Sequence, residues 1–222
     1  MKVGPAVAEF LGVFFLCLAA TLAGHHLGGG PAALVGSALV SGLVIAAGIA
    51  AFAPTSGAHF NPAVSLSFLL LGRIDAGTFA GYVLAQLGGG LAGAWAAGAV
   101  LPAGSVLSGT PMIQPGLSPA AAVLLESAAT LLLMIVILGS AVGRRATPQT
   151  APILIGFTIT AMILALGPLT GAAMNPARHF GPAIVSGSVD GWWIYWLGPA
   201  AGATAGTILW RFVLEPPTAE DS

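Results

Sequence analysis

The sequence predicts an all-α membrane protein with six transmembrane helices and two shorter half-helices in an inverted repeat. Composition, the number of long apolar stretches and a duplicated motif support this fold class. Of the 222 residues, 57% are hydrophobic and 6% are charged, and the mean hydropathy is +0.97. Soluble domains carry about 25% charged residues, so the chain is predicted to reside in a lipid bilayer.

Six apolar stretches approach the roughly 20 residues that an α-helix needs to cross a bilayer. The short alternating segments of a transmembrane β-barrel are not seen in them. The first stretch could be a cleaved signal peptide. However, its Glu9 has a counterpart in Glu126 of the second half, which favours an uncleaved span. The six stretches fall near residues 6–25, 33–53, 79–100, 120–142, 151–167 and 192–213.

The chain has only two asparagines, and each opens an Asn-Pro-Ala tripeptide behind a run of small residues. Residues 56–64 (SGAHFNPAV) align without gaps with residues 170–178 (TGAAMNPAR). The two asparagines are Asn61 and Asn175, and the pattern is a duplicated segment. One copy ends in valine and the other in arginine.

Glu9 precedes Asn61 by 52 positions, and Glu126 precedes Asn175 by 49. The chain therefore divides into two units of three spans, each with a motif after its second span. Because three is odd, the units insert in opposite directions, and their motifs should meet near the membrane midplane. The predicted units are residues 1–110 and 111–222.

Each motif also predicts the start of a helix, because asparagine is a favoured N-cap and proline suits the first helical position. The apolar run after Pro62 continues to about Leu71, which covers roughly half of a 30 Å hydrocarbon core at about 1.5 Å per residue. Irregular backbone ahead of such a half-helix, as in residues 55–60, is tolerated at membrane depth only in protein or along a water-filled cavity. A polar path is therefore implied.

The chemistry of this path follows from the caps. If each asparagine Oδ1 accepts from its own helix, the amide NH2 is left free to donate into the path. The helix N-termini are partially positive. Donors and positive dipoles at the centre suit the oxygen of a neutral hydroxylated molecule and oppose cations, including protons.

Two Asn-Pro-Ala motifs in register with a duplicated six-span chain resemble the aquaporin, or major intrinsic protein, family over nearly the full length. The resemblance implies the aquaporin fold and a passive channel for water and small solutes, with one pore in each subunit of a homotetramer. Segments 57–60 (GAHF) and 174–178 (MNPAR), with a filter of small residues, look like the nodulin-like intrinsic proteins of plants and their bacterial relatives.

The resemblance also implies a selectivity filter at fixed offsets from the two motifs, formed by Ser41, Ile163, Ala172 and Arg178. Strictly water-selective members usually have a large aromatic residue at the second-span position and a histidine at the fifth-span position. Ser41 and Ile163 at these places predict a wider opening. Glycerol-like polyols, urea and arsenous, boric or silicic acid are the expected solutes, and a strictly water-selective channel is the alternative.

Structural roles compete with the filter assignment at two of these positions. The hydroxyl of Ser41 could bond to its own helix backbone, and Ile163 could simply pack. Arg178 has a weaker structural explanation, because an arginine at membrane depth is costly unless it faces a cavity or has partners.

Two further functional classes depend on other polar residues. Glu9 and Glu126 could carry protons in a coupled transporter, but their symmetry favours acceptors for the exposed N–H groups of the two loops. His59 lines the cytoplasmic half of the pore or is packed and hydrogen-bonded. A hydrolase using Ser56 with His59 is disfavoured because the second copy lacks both residues, so the chain is expected not to be an enzyme.

Charges and cysteine content define the expected partners. A net charge of −1 without a basic stretch predicts no nucleic-acid partner. The single cysteine, Cys17, excludes an intramolecular disulfide and gives no metal-ligand spacing, so neither cofactor nor metal is expected. Five of the six Lys and Arg residues fall on one side of a six-span count, which predicts a cell-membrane protein with both termini cytoplasmic. These five are Lys2, Arg73, Arg144, Arg145 and Arg211.

Small residues recur at every fourth position in the third span of each unit. This spacing lets membrane helices approach closely, either within one subunit or between subunits. The positions are Gly81, Ala85, Gly89, Gly93 and Ala97, and then Gly198, Gly202 and Gly206.

Overall fold

The computed structural model describes residues 3–215, and over this range the chain forms helices and no strand. The predicted all-α class is therefore confirmed. Lys2, one of the charges used to predict orientation, lies outside the described residues.

Between residues 3 and 215, eight α-helices follow one another in two groups of four. The first group is α1 (Val3–His26), α2 (Pro31–Ser56), α3 (Pro62–Leu70) and α4 (Ala76–Val100), followed by a short 3-10 helix (Ser105–Gly109). The second group is α5 (Pro119–Ile137), α6 (Ala151–Thr170), α7 (Pro176–Ser186) and α8 (Ile194–Leu209). Helix α5 continues as a π-helical turn (Leu138–Val142), and α8 continues as another (Trp210–Leu214).

Five helical segments of residues 3–215 are long and apolar enough to cross a membrane: α1, α2, α4, α5 with its π-helical turn, and α6. The sixth predicted span, near residues 192–213, is shorter as an α-helix than expected. Helix α8 has 16 residues, or about 24 Å at 1.5 Å per residue. The α-helical hydrogen bonding ends at Leu209, and a π-helical turn from Trp210 to Leu214 then extends the helix.

Side-chain caps and left-handed glycines set the helix ends. Asn61 and Asn175 cap α3 and α7, while Gly57 and Gly171 end α2 and α6 in the left-handed conformation. At the start of α4, Asp75 accepts from the backbone N–H of Thr78 at 2.6 Å, and this hydrogen bond lowers the pKa of the Asp75 carboxyl.

Glycines allow the long helices to pack closely in pairs, α1 with α4 and α5 with α8. A Cβ on Gly89 would overlap the carbonyl oxygen of Phe10, and one on Gly202 would overlap that of Ser127. Gly89 and Gly202 belong to the small residues that recur at every fourth position, and both therefore face helices of the same protomer.

The helix directions define two ends of the bundle. We call the end where α1 begins and α8 finishes the terminal end, and the other the distal end. Half-helix α3 runs from the centre towards the terminal end and packs against α4 and α8, whereas α7 runs towards the distal end and packs mainly against α4. Their N-termini meet in the middle.

Candidate functional site

The two asparagines cap their helices and also bind each other's loops. The Oδ1 of Asn61 accepts from the backbone N–H of Ala63 at 2.8 Å, and that of Asn175 accepts from Ala177 at 3.0 Å. The Nδ2 of Asn61 donates to the Met174 carbonyl at 2.8 Å, and the Nδ2 of Asn175 donates to the Phe60 carbonyl at 2.7 Å. The prediction that the NH2 group of each asparagine is free was therefore wrong for one hydrogen of each group, which donates to the opposite loop. The other hydrogen remains available to the lumen.

The loops ahead of the two caps hold non-glycine residues in the left-handed region, at matching positions. The φ angles are +51° for Ala58 and +52° for Phe60 in the first loop, and +44° for Ala172 and +51° for Met174 in the second. Each such conformation costs about 1–3 kcal/mol and persists only where the surroundings enforce it.

Glu9 supplies that constraint in the first loop. Its Oε1 accepts from the Ser56 hydroxyl at 2.7 Å and from the backbone N–H of His59 at 2.9 Å. Its Oε2 accepts from the backbone N–H of Phe60 at 2.6 Å and from the side chain of Gln86 at 2.8 Å. The carboxylate thus satisfies buried loop N–H groups that no helix or sheet pairs.

Glu126 makes the corresponding contacts in the second loop. It accepts from the Thr170 hydroxyl at 2.7 Å and from the backbone N–H groups of Ala173 and Met174 at 3.0 and 2.7 Å. Both glutamates are fully buried, and neither lines the cavity described next.

Two tyrosines that the sequence analysis missed support the same loops. The hydroxyl of Tyr82 donates to the Ser56 carbonyl at 2.7 Å, and that of Tyr195 donates to the Thr170 carbonyl at 2.8 Å. A sequence signal was present, because the chain has only two tyrosines and they lie 113 positions apart (195 − 82), close to the 114 between the asparagines (175 − 61).

A cavity of about 990 Å³ spans the bundle. Its lining includes Arg73 and Gln149 at the terminal end, both asparagines at the centre, and Gly28 and Ser108 at the distal end. The predicted pore residues Ser41, His59, Ile163, Ala172 and Arg178 also line it.

Backbone carbonyls supply acceptors along this cavity. Six loop carbonyls accept no hydrogen bond within residues 3–215, and all six residues line the cavity. Each loop contributes three in succession. A hydroxyl or amine group that moves along the cavity can therefore donate its hydrogen bond to one carbonyl after another. The six residues are Gly57, Ala58, His59, Gly171, Ala172 and Ala173.

The four residues predicted to form the filter all reach the cavity. Arg178 donates from Nη2 to the Gly109 carbonyl at 2.8 Å, while its buried Nη1 has no partner within residues 3–215. Ser41 is 3% exposed, and its hydroxyl donates to the Ser37 carbonyl at 2.9 Å. Backbone bonding and a lumenal position therefore coexist at Ser41. The role of Gly109 had no signal in the sequence.

His59 is packed and also lines the cavity. Its ring lies 4.2 Å from the Phe68 ring and 5.2 Å from the Tyr82 ring, between centroids, and its Nδ1 lies 3.1 Å from the Ser65 hydroxyl. The Ser56 hydroxyl donates to Glu9 instead of pairing with this imidazole, so the two residues do not form a nucleophile and base.

Residues 3–215 hold no group of three or more His, Cys, Asp or Glu side chains that could bind a metal ion. Cys17 is buried, with its Sγ 4.0 Å from the Ala177 carbonyl and 3.9 Å from the Arg178 carbonyl. It lies behind the arginine, outside the cavity lining.

Two capped half-helices that meet inside a cavity spanning an apolar helical bundle define a membrane channel. The chain belongs to the major intrinsic protein family, whose profile "Major intrinsic protein" matches residues 2–210. Members of this family are channels for water and small solutes and not enzymes. The family resemblance noted from the sequence is therefore confirmed.

Individual relatives are similar along most of the chain. Lens fiber major intrinsic protein of Gallus gallus is 35% identical over 95% of this chain and 81% of its own length. Aquaporin NIP1-3 of Oryza sativa subsp. japonica is 37% identical over 94% of this chain and 72% of its own. The solved structure of the aquaglyceroporin from Plasmodium falciparum matches with a TM-score of 0.84 and 25% identity, covering 96% of each chain.

Proposed function

We propose that this channel passes water together with small uncharged solutes such as glycerol-like polyols, urea or metalloid hydroxides, and excludes ions and protons. The observation that carries the proposal is the set of four lining residues near the distal end, Ser41, Ile163, Ala172 and Arg178. In this set one guanidinium is combined with two small residues and one aliphatic side chain.

Each member of this ring has a distinct task. The guanidinium of Arg178, which lines the cavity, donates to a solute oxygen, and its charge repels cations. Ile163 offers an apolar wall to the carbon face of a polyol, where water would lose hydrogen bonds. Ser41 and Ala172 leave room for a solute wider than water.

Charge exclusion has two sources. The positive ends of α3 and α7 meet at the asparagines, and Arg178 stands on the distal side of them. No carboxylate of residues 3–215 lines the cavity to offset this positive potential. A cation that passes the loop carbonyls from either end meets the donor groups and the positive helix ends at the two asparagines.

A proton-coupled carrier would need Glu9 or Glu126 to exchange protons with the lumen. Both carboxylates are fully buried outside the cavity lining and occupied by loop N–H groups. We assign them to holding the loops, so flux through the channel is passive.

Among the relatives, the protein from Plasmodium falciparum is named an aquaglyceroporin, which is a name for channels that pass glycerol. The relatives named NIP bear the abbreviation of the nodulin-like intrinsic proteins, the group that residues 57–60 and 174–178 resemble. Both support solutes larger than water. The lens fiber relative is similarly close in identity, so the ring itself is the stronger argument.

We also infer the assembly and orientation. The chain forms a homotetramer in the cell membrane, with one pore per subunit and two inverted repeats, residues 1–110 and 111–222. Its termini face the cytoplasm, because Arg and Lys collect in cytoplasmic loops and four arginines lie at the terminal end. These are Arg73, Arg144, Arg145 and Arg211.

Stopped-flow swelling of proteoliposomes tests the function. Vesicles holding the purified channel are exposed to inward gradients of glycerol, urea, boric acid and arsenite, with empty vesicles as the control. We expect water and at least one of these solutes to permeate well above the control. Rapid water flux with none of the four solutes would identify a strictly water-selective channel and overturn the proposal.

The same vesicles test for coupling to protons. A passive channel gives equal solute flux with and without a pH gradient. Solute flux that disappears when the gradient is collapsed would identify a carrier instead.

A further inference from the structure

A chain of four hydrogen-bonded side chains connects Glu9 to the cavity. Gln86 Nε2 donates to Glu9 Oε2 at 2.8 Å and to the Ser65 hydroxyl at 3.0 Å. The Ser65 hydroxyl lies 3.1 Å from His59 Nδ1. Glu9, Gln86 and Ser65 are fully buried, whereas His59 lines the cavity. We call these four residues the relay.

We propose that the relay fixes His59 as the neutral tautomer that carries its proton on Nε2. The imidazole then presents an N–H donor to solute oxygens on the terminal side of the two asparagines. The inference rests on the proposed channel function for its solute, but the tautomer itself can be measured without any flux.

The first step is the charge state of Glu9. Its two oxygens receive four hydrogen bonds, from Ser56, His59, Phe60 and Gln86, and every one of these partners is an N–H or O–H donor. Three of these donors, the Ser56 hydroxyl and the backbone N–H groups of His59 and Phe60, do not depend on how the Gln86 amide is oriented. The Ser56 oxygen already accepts from the backbone N–H of Ala58 at 3.0 Å, and its hydrogen points to Glu9. Hydrogen bonds of this kind stabilise the charged form of a carboxyl group, so we assign Glu9 as a carboxylate.

The second step is the orientation of the Gln86 amide. Its two amide hydrogens are both used, one on Glu9 and one on Ser65. The reversed amide would place Oε1 against the Glu9 carboxylate, acceptor against acceptor. The Oε1 atom is instead left buried without a partner in residues 3–215. An orphaned acceptor is tolerated here because the alternative faces a charge.

The third step is the Ser65 hydroxyl, which accepts from Gln86 and has one hydrogen to donate. Within residues 3–215 its remaining neighbour at hydrogen-bonding distance is His59 Nδ1. If Nδ1 carried a proton, the serine oxygen would accept from both Gln86 and His59, and its own hydrogen would be left without an acceptor. His59 Nδ1 is therefore the acceptor, and the ring proton lies on Nε2.

The Nε2 atom is placed to use that proton in the lumen. It has no protein partner within residues 3–215 and lies beside Gly57, where a Cβ would come within 3.3 Å of it. Gly57 itself lines the cavity. Packing between the Phe68 ring, tilted by 33°, and the Tyr82 ring, which lies edge-on at 79°, restricts rotation of the imidazole. The nearby Tyr82 hydroxyl is engaged with the Ser56 carbonyl and does not compete for the imidazole.

The second repeat has no such relay. Counted from its asparagine and its tyrosine, it places Ala173, His179 and Pro199 where the first repeat has His59, Ser65 and Gln86. The lumenal donor on that side is Arg178. A solute oxygen therefore meets one side-chain donor on each side of the asparagines, a charged one distally and a neutral one on the terminal side.

Nitrogen-15 NMR of histidine-labelled channel in lipid vesicles at neutral pH tests the tautomer. The His59 signals are assigned by their loss in His59→Gln. We expect an unprotonated Nδ1 and a protonated Nε2. A protonated Nδ1 in the wild-type protein, in either a neutral or a charged ring, would overturn the proposal, whatever the transport assays show.

Ser65→Ala, with Ser65→Thr as the matched variant that keeps the hydroxyl, tests the relay. We expect a measurable Nδ1-protonated population in Ser65→Ala only, and glycerol flux about fivefold lower, as the loss of one net neutral hydrogen bond would give. An unchanged His59 spectrum in Ser65→Ala would show that the relay does not fix the ring. Unchanged flux despite a changed spectrum would overturn the donor role. Absence of glycerol flux in the wild type would instead count against the proposed solute class.

Discussion

The Nη2 of Arg178 donates to the carbonyl oxygen of Gly109 at 2.8 Å, which ties the half-helix α7 to the loop after α4. That carbonyl is held from behind by α1, since a Cβ on Gly109 would clash with Thr21. The guanidinium therefore has one anchored edge, and its Nη1 faces no protein acceptor within residues 3–215. A charge fixed in this way cannot swing aside when a cation approaches.

Replacing Arg178 with valine, the residue at the matching position of the first motif, should weaken ion exclusion while neutral solutes still pass. Losing a barrier of about 1.4 kcal/mol would raise proton and cation leak about tenfold. Leak is measured in vesicles with an internal pH dye and an imposed voltage. Arg73→Val is the matched control, because Arg73 lies exposed at the terminal mouth, where its charge is screened. Equal leak in both variants would contradict a special role for Arg178.

Helix positions that depend on neighbouring residues in the chain could be predicted from the sequence. Asparagine followed by proline marks a helix start in any environment, so the beginnings of α3 and α7 were placed at the right residues. The long apolar stretches likewise located α1, α2, α4, α5 and α6 to within a few residues. The end of α8 was harder, because a change to π-helical hydrogen bonding leaves no compositional mark.

The double variant Ser41→Phe with Ile163→His should narrow the channel towards water alone. Both side chains line the cavity, so a phenyl ring and an imidazole there would reduce its width and replace an apolar wall with a polar one. We expect glycerol and urea flux to fall about tenfold or more, as a steric barrier of about 1.4 kcal/mol gives, while water flux is largely kept. Stopped-flow light scattering measures both fluxes.

The matched control for the phenylalanine substitution is Leu39→Phe. Leu39 lies on α2, as Ser41 does, but its side chain is 44% exposed on the outer surface. It adds the same ring outside the pore and should leave both fluxes unchanged. Unaltered glycerol flux in the double variant would show that Ser41 and Ile163 are not the narrowest point.

The wild-type channel should resist mercurial reagents, whereas Ala172→Cys should be blocked by them. Cys17, the only cysteine, is fully buried behind Arg178 and does not line the cavity. A thiolate must be reachable to react. Ala172 does line the cavity, so a thiol there would react inside the lumen. Water flux before and after mercuric chloride, and after a reducing thiol, is the measurement. Strong inhibition of the wild type would mean that Cys17 is reachable.

Contacts between distant parts of the chain were beyond prediction. The amide of Asn61 binds the Met174 carbonyl, 113 positions away, and such a pairing depends on how the two loops fold towards each other. Left-handed Phe60 and Met174 carry no glycine signal, because the glutamate carboxylates and not local propensity hold them there. Gln86 belonged to no motif and had no counterpart in the second half, so the relay could be found only from the folded chain.

Two adjacent glycines in α4 should respond oppositely to alanine. A Cβ on Gly89 would overlap the Phe10 carbonyl of α1, whereas one on Gly88 would meet the Phe10 ring at 3.6 Å, an ordinary contact distance. Alanine is favoured over glycine in a helix by about 1 kcal/mol, and overpacking costs about 1–3 kcal/mol or more. Gly88→Ala should therefore be neutral or raise the midpoint of thermal unfolding in detergent, and Gly89→Ala should lower it by several degrees. Since both variants gain the same helix propensity, the difference between their midpoints isolates the α1–α4 contact. Equal midpoints would mean that this contact yields easily, and the close packing of the two helices would then not depend on Gly89.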